Sequence, residues 1–275
     1  MPPAYTSAQK AAISQFASVT HADRATAARL LKSNGWNVPT AVHAFYGTAP
    51  PPSPSTTALN KLFDSLRSAD STSTPDKIGP EGTMAYFGNL GVALDDVGCF
   101  VVSQIVASPG MGEMTRAGFV NGWAEAGAET AQQQAALVRA RKAGLGKKEN
   151  RGVLRGVYRH TFRLALTAPG QRNIDVDTAV AMWGLLFTAP SLEWKGSVDW
   201  LGLWTEFVRA RGKAINADVW NQTLVFAEET LKDEGLGWWT EEAAWPALVD
   251  EFVKWCREER GVGVQKKAEE DEMSY

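Results

Sequence analysis

Cysteine, histidine and long apolar runs are scarce in this chain of 275 residues. The two cysteines, Cys99 and Cys256, are too few for a disulfide framework or a zinc site. Both stand among apolar residues, so we expect free, buried thiols and a reducing compartment. No run of eighteen apolar residues occurs, and the first residues lack the apolar centre of a signal peptide. Pro2 stands where N-myristoylation requires glycine. We therefore expect a soluble protein of the cytoplasm and nucleus.

Signatures of catalysis and of nucleic-acid binding are also lacking. The chain has 28 lysines and arginines against 31 acidic residues, without the positive excess that is typical of nucleic-acid-binding proteins. Motifs of the types GxSxG, HExxH and CxxC and the phosphate-binding P-loop do not occur. Only one of the three histidines, His160, lies beyond residue 47, and a catalytic pair with Cys99 would need an orienting group that the sequence does not indicate. We therefore predict no catalytic residue and no cofactor.

Tryptophan, by contrast, is frequent, with eleven residues. Aromatic faces bind sugars and paired carboxylates cleave glycosidic bonds, so an undetected hydrolase is one alternative. Its turnover would follow the ionisation of a named acid or of His160. Core packing is the simpler interpretation for the tryptophans on apolar helix edges, which are Trp183, Trp200, Trp204, Trp245 and Trp255.

A proline-rich stretch divides the chain into modules. Residues 48–58, TAPPPSPSTTA, combine prolines that prefer extended backbone with small polar residues, which predicts a semi-rigid linker. A small module then covers residues 1–47 and a larger one residues 59–260. Residues 261–275 end in EEDEMSY, and we expect them to form a disordered acidic tail.

The small module contains three helical patterns, Ser7–Phe16, Ala22–Ser33 and Pro39–Tyr46. Ser7 is placed to cap the first pattern, Asn34 and Gly35 close the second, and Pro39 opens the third. A compact three-helix bundle would have its core at Ile13, Phe16, Ala27, Leu30, Leu31, Trp36, Val42 and Phe45.

The larger module is predicted to be all-helical, which makes the fold class all-α. Apolar positions recur at helical spacing, and strand-like alternation is scarce. Asp177 is placed to cap a helix that runs to Phe187. The other long patterns are Thr115–Glu125, Arg151–Leu166 and Ser197–Arg211.

The last ordered segment, residues 215–255, combines an apolar stripe with exposed acids. Pro246 suits a first helical turn, and the apolar stripe that follows it should face the core. Asp250 falls away from that stripe, so we expect an unpaired, solvated carboxylate, with the small Ala244 beside it. Asp218 opens an earlier helix in the same way. We call Asp218, Ala244 and Asp250 the acidic pad and predict that it docks a basic partner. The alternative is an ordinary solvent-exposed helix face without a binding role.

The segment DSTSTPDKIGPEG, residues 70–82, outlines an EF-hand, with a central isoleucine between two helical patterns. Its loop chemistry does not suit calcium. Aligned on Ile78, the first three ligand positions fall on Ser71, Ser73 and Pro75, and Gly82 stands where a bidentate glutamate is required. We therefore expect the helix–loop–helix architecture without a bound metal.

Several separated sequence motifs resemble those of the defective-in-cullin-neddylation family, and they occur in the order found in that family. They are KIGPEG (77–82), APGQRNIDVDTAVAMWGLLF (168–187), DWLGLWTEF (199–207), DVWN (218–221) and AAWPALVDEFVKW (243–255), and the resemblance covers residues 59–258. It implies a potentiating-neddylation (PONY) domain with an EF-hand-like N-terminal half that holds no metal. In the family, two aspartates and an alanine dock the winged-helix end of a cullin. By the resemblance, those roles fall on the acidic pad, Asp218, Ala244 and Asp250.

The resemblance also implies an apolar pocket for the N-acetylated methionine of the conjugating enzyme. Acetylation removes an ammonium group whose burial would be costly, so an apolar pocket can distinguish modified from unmodified termini. The matching positions are Val101, Val102, Ile105, Met111, Met114, Leu164 and Leu185. The segment ASPGMGE (107–113) is shorter than the family pattern, and Met111 and Gly112 replace a glutamine and a cysteine.

The small module resembles a ubiquitin-associated domain, whose first loop and last helix bind ubiquitin or a ubiquitin-like protein. The usual Met-Gly-Phe word of that loop is absent, and core packing of the two phenylalanines is an equal alternative. The implied ubiquitin patch is Phe16, Ala17, Val19, Ala44 and Phe45.

Taken with the resemblance, the sequence predicts a non-catalytic scaffold ligase of cullin neddylation. Its partners would be the cullin C-terminal domain and the acetylated conjugating enzyme, with ubiquitin or the modifier as a further possibility and no nucleic acid or membrane. The alternative is a ubiquitin-binding adaptor in which the larger module is a generic interaction domain.

Overall fold

The computed structural model of the chain describes residues 5–20, 22–47 and 54–263. The chain divides into two compact units between Thr57 and Ala58. The described residues contain thirteen α-helices, one short 3₁₀-helix and four strands of two residues each, so the predicted all-α fold class is confirmed. Within these residues no helix has both the length and the apolar content that a membrane crossing requires.

The first unit contains α1 (Ser7–Thr20), α2 (Arg24–Ser33) and α3 (Val38–Gly47). Thr6 caps α1, whereas Ser7 was predicted to do so. The Thr6 hydroxyl accepts a hydrogen bond from the Gln9 N–H (3.3 Å), and the Gln9 side chain accepts one from the Thr6 N–H (3.0 Å). The cap of α2 is Asp23, and the cap of α3 is Asn37, whose side chain accepts a hydrogen bond from the Thr40 N–H.

A small apolar core holds the first unit together. Its buried members are Ile13, Phe16, Ala27, Ala28, Leu31 and Ala41. The other predicted core residues, Leu30, Trp36, Val42 and Phe45, pack around them partly buried. As predicted, α2 ends at Asn34 and Gly35, and Gly35 has a φ of +60°, which glycine adopts without strain.

The second unit begins with α4, which starts at Pro54, inside the segment predicted to be a linker. The division into residues 1–47, 48–58, 59–260 and 261–275 therefore stays a prediction, and residues 48–53 and 264–275 lie outside the described part. The remaining helices are α4 (Pro54–Ser68), α5 (Pro80–Asn89), α6 (Gly98–Ile105), α7 (Arg116–Glu125), α8 (Ala131–Gly144), α9 (Arg151–Leu164), α10 (Val176–Leu186), α11 (Trp200–Arg211), α12 (Ala217–Thr230) and α13 (Ala247–Glu259).

Two short antiparallel strand pairs join the helix–loop–helix units. Strands β1 (Lys77–Ile78) and β2 (Met114–Thr115) pair Ile78 with Met114. Strands β3 (Asn173–Ile174) and β4 (Ile215–Asn216) pair Ile174 with Ile215. All four of these paired apolar residues are fully buried or nearly so. Each pair therefore fixes the starts of two helices relative to one another.

The first of these loops, between α4 and α5, is organised by the side chain of Asp70. The Asp70 carboxylate accepts hydrogen bonds from the N–H and hydroxyl of Thr72, the hydroxyl of Ser73 and the N–H of Gly79. Burial alone would raise the pKa of Asp70, but the hydrogen bonds donated by Thr72, Gly82 and Ser73 lower it far below its ordinary value. Among the described residues, no group of three or more histidine, cysteine or acidic side chains is placed to hold a metal ion.

Aromatic side chains fill the core between α9, α10 and α12. Trp220 stacks on both Trp183 and Tyr158, with ring centroids 5.3 Å and 4.7 Å apart. The Tyr158 hydroxyl accepts a hydrogen bond from Trp183 Nε1 and donates one to the Trp220 carbonyl, both at 2.8 Å. Trp200 and Trp204 are buried as predicted, whereas Trp245 and Trp255 lie at the edge of the core and are only partly buried.

Two predicted helix starts are wrong by one or two residues. Asp175, not Asp177, caps α10, since its side chain accepts from the Thr178 N–H (2.8 Å). Pro246 is the residue before α13 and not its first residue. Both differences leave the apolar faces where the periodicity places them.

Both cysteines are free and buried, as predicted. Burial raises the pKa of Cys99 to about 11 and that of Cys256 to about 12. Neither thiol is therefore ionised near neutral pH, and neither behaves as a reactive nucleophile.

Candidate functional site

Asp218 lies in the first turn of α12, at a helix start that two interactions hold in place. The side chain of Asn216 caps the helix by accepting a hydrogen bond from the Val219 N–H (2.8 Å). Just before it, the buried Ile215 pairs with β3. The Asp218 side chain is exposed, and the positive end of the helix dipole favours its negative charge. The structure thus presents this carboxylate on a rigid base.

Asp250 lies in the first turn of α13 and has a partner that the sequence did not predict. Trp239 donates a hydrogen bond from its indole Nε1 to Asp250 Oδ1 at 3.2 Å, and the carboxyl group is half-buried. The expectation of an unpaired, fully solvated carboxylate is therefore wrong. The Arg257 guanidinium lies 5.0 Å from the centre of the Trp239 ring and keeps that indole in position. Asp250 is a fixed acceptor with one side open to solvent.

Ala244 lies in the segment that leads into α13, and its side chain is exposed. The segment is held to the helix at two points. An ion pair joins Lys254 to Glu241 at 2.9 Å, and the Trp245 ring packs edge-on against Phe226 of α12. The hydrogen bond that Lys254 donates to Glu241 raises the pKa of Lys254, and the nearby charges of Glu241 and Asp250 add to the shift. A methyl group at Ala244 leaves room for a partner beside Asp250.

Ion pairs bring the two helix starts to the same end of the unit. Glu251, next to Asp250, pairs with Arg211 at 3.4 Å and with Lys213 at 3.2 Å. Lys213 lies in the short segment between α11 and β4, which leads directly to Asp218. The three residues of the acidic pad therefore lie on adjoining segments around this cluster.

A polar cavity of about 440 Å³ lies beside the same segment. Its walls are Asp175, Val176, Asp177, Arg209, Gly212 and Ala214. Asp177 is almost fully exposed and forms a loose ion pair with Arg209 at 3.6 Å. The sequence did not predict that Asp177 and Glu251 lie at this end of the molecule. Their positions follow only from the β3–β4 pairing and from the ion pairs of Glu251.

The structure places most of the residues predicted for the acetyl-methionine pocket in the core. Val101, Val102, Met114 and Leu164 are buried, whereas Met111 is 56% exposed. Ile105 is also buried, and it and the partly buried Leu185 line separate cavities of about 230 Å³ each. The seven positions therefore do not surround one open pocket in this conformation, and the pocket stays a prediction.

The residues of the predicted ubiquitin patch lie close together but not on a loop. Residues 16–19 form the last turn of α1, so the predicted loop is wrong; the Thr20 hydroxyl, bonded to the Phe16 carbonyl at 2.8 Å, closes that turn. Phe16 is buried and packs edge-on against Phe45, while Ala17 and Ala44 are partly buried. Val19 is 51% exposed.

Tyr46, which was not predicted to belong to the patch, contributes more exposed apolar surface than Phe16 does. Its side chain is 62% exposed, and its hydroxyl donates a hydrogen bond to the Val19 carbonyl at 3.0 Å. This bond joins the ends of α1 and α3. The patch stays a prediction, and Val19 with Tyr46 is its accessible part.

His160 and Cys99, the residues weighed as a catalytic pair, have separate surroundings. The Cys99 thiol donates to the Ala93 carbonyl at 3.0 Å. Burial and the nearby Arg163 lower the pKa of His160, and its Nε2 is buried without a hydrogen-bond partner. The structure does not bring an activated nucleophile and base together at these residues.

Comparison with known protein families gives two matches within the chain. Residues 132–255 match the family described as "Cullin binding", and residues 10–51 match the family described as "UBA-like domain". All three residues of the acidic pad lie in the first of these ranges.

Similar proteins span almost the whole chain. A protein named "Defective in cullin neddylation protein 1" from Pyricularia oryzae is 31% identical over 281 residues, which cover 97% of this chain and 99% of that protein. Proteins of the same name from Yarrowia lipolytica and Saccharomyces cerevisiae are 32% and 24% identical, and the matches cover 85% and 92% of this chain. They cover 90% of the first of these relatives and 96% of the second.

Proposed function

This chain belongs to the defective-in-cullin-neddylation family, and from that premise we propose that it is a non-catalytic scaffold for the modification of a cullin. One surface binds the cullin C-terminal domain, and a second binds the acetylated N-terminus of the conjugating enzyme. Transfer of the ubiquitin-like modifier is accelerated because two reactants are held in orientation, which can supply a large share of a rate enhancement without any bond chemistry by the scaffold.

The observation that carries the proposal is the acidic pad on two fixed helix starts. Asp218 and Asp250 are held by helix caps, strand pairing and the Trp239 indole, so little conformational freedom is lost when a partner binds. The exposed Ala244 between them leaves the approach open. This arrangement suits a partner that presents lysine or arginine side chains, which form charge-assisted hydrogen bonds with carboxylates.

The test is a calorimetric titration of the full chain with a cullin C-terminal domain. Asp218→Lys and Asp250→Lys each place a cation where an anion should attract a basic partner, so we expect affinity to fall at least tenfold in each. Glu129→Lys is the matched control, since Glu129 is also exposed and lies outside the cullin-binding match. Equal affinities for all three variants, with helical circular dichroism unchanged, would remove the pad from the binding site.

The second surface is proposed at the predicted acetyl-methionine pocket. Five of its seven residues are core side chains in the free chain, so binding there requires apolar side chains to move apart. An acetylated methionine can enter such a space because it carries no ammonium group to desolvate. Leu185, half-buried at a cavity edge, and the exposed Met111 are the accessible members.

Two peptides of the conjugating enzyme's N-terminus, acetylated and unacetylated, test this surface. The full chain should bind the acetylated peptide and fail to bind the unacetylated one. Leu185→Arg places a charge at the cavity edge and should weaken the acetylated peptide alone, while cullin affinity stays unchanged. Equal binding of the two peptides would contradict the proposal.

The first unit supports a second candidate function, the binding of ubiquitin or a ubiquitin-like modifier. The match to the UBA-like family covers residues 10–51, and Val19 and Tyr46 expose apolar surface at the joined ends of α1 and α3. Deleting residues 1–47 separates the candidates. If the protein is a scaffold, modification of the cullin should continue without these residues. If the first unit supplies the function, recruitment of ubiquitin or the modifier should fail.

A further inference from the structure

Positive charge is concentrated in one stretch of this weakly acidic chain. Residues 139–163 contain nine lysines and arginines and a single acid, Glu149, which gives a formal charge of +8, although the whole chain carries −3. The near-balance of the whole chain conceals this asymmetry. The stretch comprises the end of α8, the loop after it and all of α9 except its last residue.

The arginines of α9 lie on one side of the helix. Arg151, Arg155, Arg159 and Arg163 recur every four residues, a spacing that places side chains next to one another on a helix surface. Like charges at this spacing destabilise a helix. We call these four residues, together with Lys147 and Lys148, the basic face.

The start of α9 adds to this local conflict. Lys147 and Lys148 lie shortly before the helix, which starts at Arg151, and its first turn contains no acidic residue. Even with Glu149 between them and the helix, cations predominate at the end where the helix dipole favours anions. In α10 and α12 the first turn carries an aspartate, as the dipole favours. Local stability alone does not account for this arrangement.

The described part of the chain neutralises only part of the basic face. Glu228 of α12, whose side chain is 9% exposed, pairs with Arg155 at 2.8 Å and with Arg151 at 3.6 Å. Arg159 and Arg163 are exposed and form no ion pair with any described residue, and the same holds for the two lysines. His160, between these arginines, has a pKa lowered by burial and by Arg163, so it adds no charge near neutral pH. Four cations are left without an anionic partner.

The sequence contains one segment of matching charge. Glu269, Glu270, Asp271 and Glu272 form the only run of four consecutive acidic residues in the chain. This acidic run falls within residues 264–275, outside the described part, and four negative charges there match the four unpaired cations of the basic face.

A path of hydrogen bonds connects the point at which the described chain ends with the neighbour of Glu228, the residue that pairs with the basic face. The Gly263 carbonyl accepts a hydrogen bond from Arg257, which also donates to the Leu236 carbonyl. Backbone hydrogen bonds link Leu236 to Asp233 and Asp233 to Glu229, the neighbour of Glu228. Six residues from Gly263 to the acidic run span up to about 20 Å when extended, and nine residues span up to about 30 Å.

We propose that the acidic run, residues 269–272, docks on the basic face of α9 within the same molecule. Exposed ion pairs are weak one by one, but a short tether gives the segment an effective concentration on the order of millimolar. The contact is electrostatic, so salt that shortens the Debye length below about 10 Å weakens it. The docked segment shields the basic face from other polyanions until an acidic partner displaces it.

The first test compares the amide resonances of the full chain with those of a variant in which the run is neutralised, Glu269→Gln, Glu270→Gln, Asp271→Asn and Glu272→Gln. At low salt we expect changes at Arg159 and Arg163 that disappear in about 0.5 M salt. The charge reversal Arg159→Glu with Arg163→Glu should shift the resonances of the acidic run in turn. Changes confined to residues next to Gly263 would overturn the proposal.

A second readout is retention on a heparin column, which probes exposure of the basic face to a polyanion. Neutralising the run should raise the salt needed for elution. A matched control neutralises four exposed acids elsewhere, Glu193, Glu242, Glu258 and Glu259, and changes net charge equally. Equal retention of both variants would show a net-charge effect alone and would contradict docking on α9. Neither readout depends on cullin binding, so this proposal and the proposed function can fail separately.

Discussion

Replacing Tyr158 by phenylalanine tests the core on which the acidic pad rests. The Tyr158 hydroxyl is fully buried and joins α9 to both α10 and α12: it accepts from Trp183 Nε1 and donates to the Trp220 carbonyl, each at 2.8 Å. Phenylalanine keeps the ring stacked on Trp220 but removes both hydrogen bonds. The indole N–H of Trp183 then has no acceptor in a dry part of the core.

The expected loss follows from these two bonds. A buried donor left without a partner costs about 1–3 kcal/mol. The Trp220 carbonyl lies within α12 and keeps its helical hydrogen bond, so its share is small. We therefore expect the free energy of unfolding of the second unit to fall by about 2 kcal/mol, which corresponds to a decrease in Tm of about 4–8 °C for a unit of this size.

Urea unfolding followed by tryptophan fluorescence measures this loss, since ten of the eleven tryptophans lie in the second unit. Tyr46→Phe is the control. It also removes a tyrosine hydrogen bond, but an exposed one in the first unit, and should leave the transition of the second unit unchanged. A decrease below about 0.5 kcal/mol for Tyr158→Phe, with an unchanged slope, would refute the argument that this network stabilises the core.

Two further predictions concern the N-terminal half of the second unit. In Asp70→Asn the loop loses a carboxylate whose pKa is lowered far below its ordinary value in the folded state. Such a group stabilises the fold fully above about pH 4, and its contribution is lost progressively as the pH falls from there to the folded-state pKa. Urea midpoints should therefore differ between variant and parent at pH 7, and the difference should shrink as the pH is lowered from about 4 to about 2; a constant difference over this range would contradict the prediction. Gly118→Ala would place a Cβ 2.2 Å from the Val106 carbonyl oxygen and should destabilise the protein by more than about 1 kcal/mol. Gly156→Ala, in α9, would place a Cβ in ordinary contact with Gln104 Nε2 at 3.8 Å and should stabilise the protein by about 0.5–1 kcal/mol. Thermal denaturation measures both changes.

Features that depend on local periodicity could be predicted from the sequence. The apolar stripe of α13 is one example. Leu248, Val249, Phe252 and Val253 are all buried, because residues that recur every three or four positions lie on the same face of a helix. The separated family motifs also assigned the acidic pad, which stays a prediction. The end of α2 at Gly35 was predictable because glycine adopts a positive φ at little cost.

Features that depend on how distant segments fold back could not be predicted in this way. The bond from Trp239 to Asp250 crosses a turn whose course the sequence does not reveal. The ion pairs of Glu251 with Arg211 and Lys213 likewise join separate elements.

Two features were missed because the prediction relied on the net charge of the whole chain or on an analogy with another domain. A net charge of −3 indicated the lack of a positive excess and hid the basic face of α9. Residues 16–19 were predicted to form a loop by analogy with ubiquitin-associated domains, but no residue before Thr20 interrupts the helix, and α1 continues to that point.

The central claim is that two separate surfaces orient a cullin and a conjugating enzyme. The most direct test is the rate of modifier transfer in a reconstituted reaction that contains the Asp218→Lys, Asp250→Lys double variant. The account predicts that stimulation of transfer is lost while the affinity for the acetylated peptide is unchanged, because only one of the two reactants is released. Full stimulation by the folded double variant would contradict it.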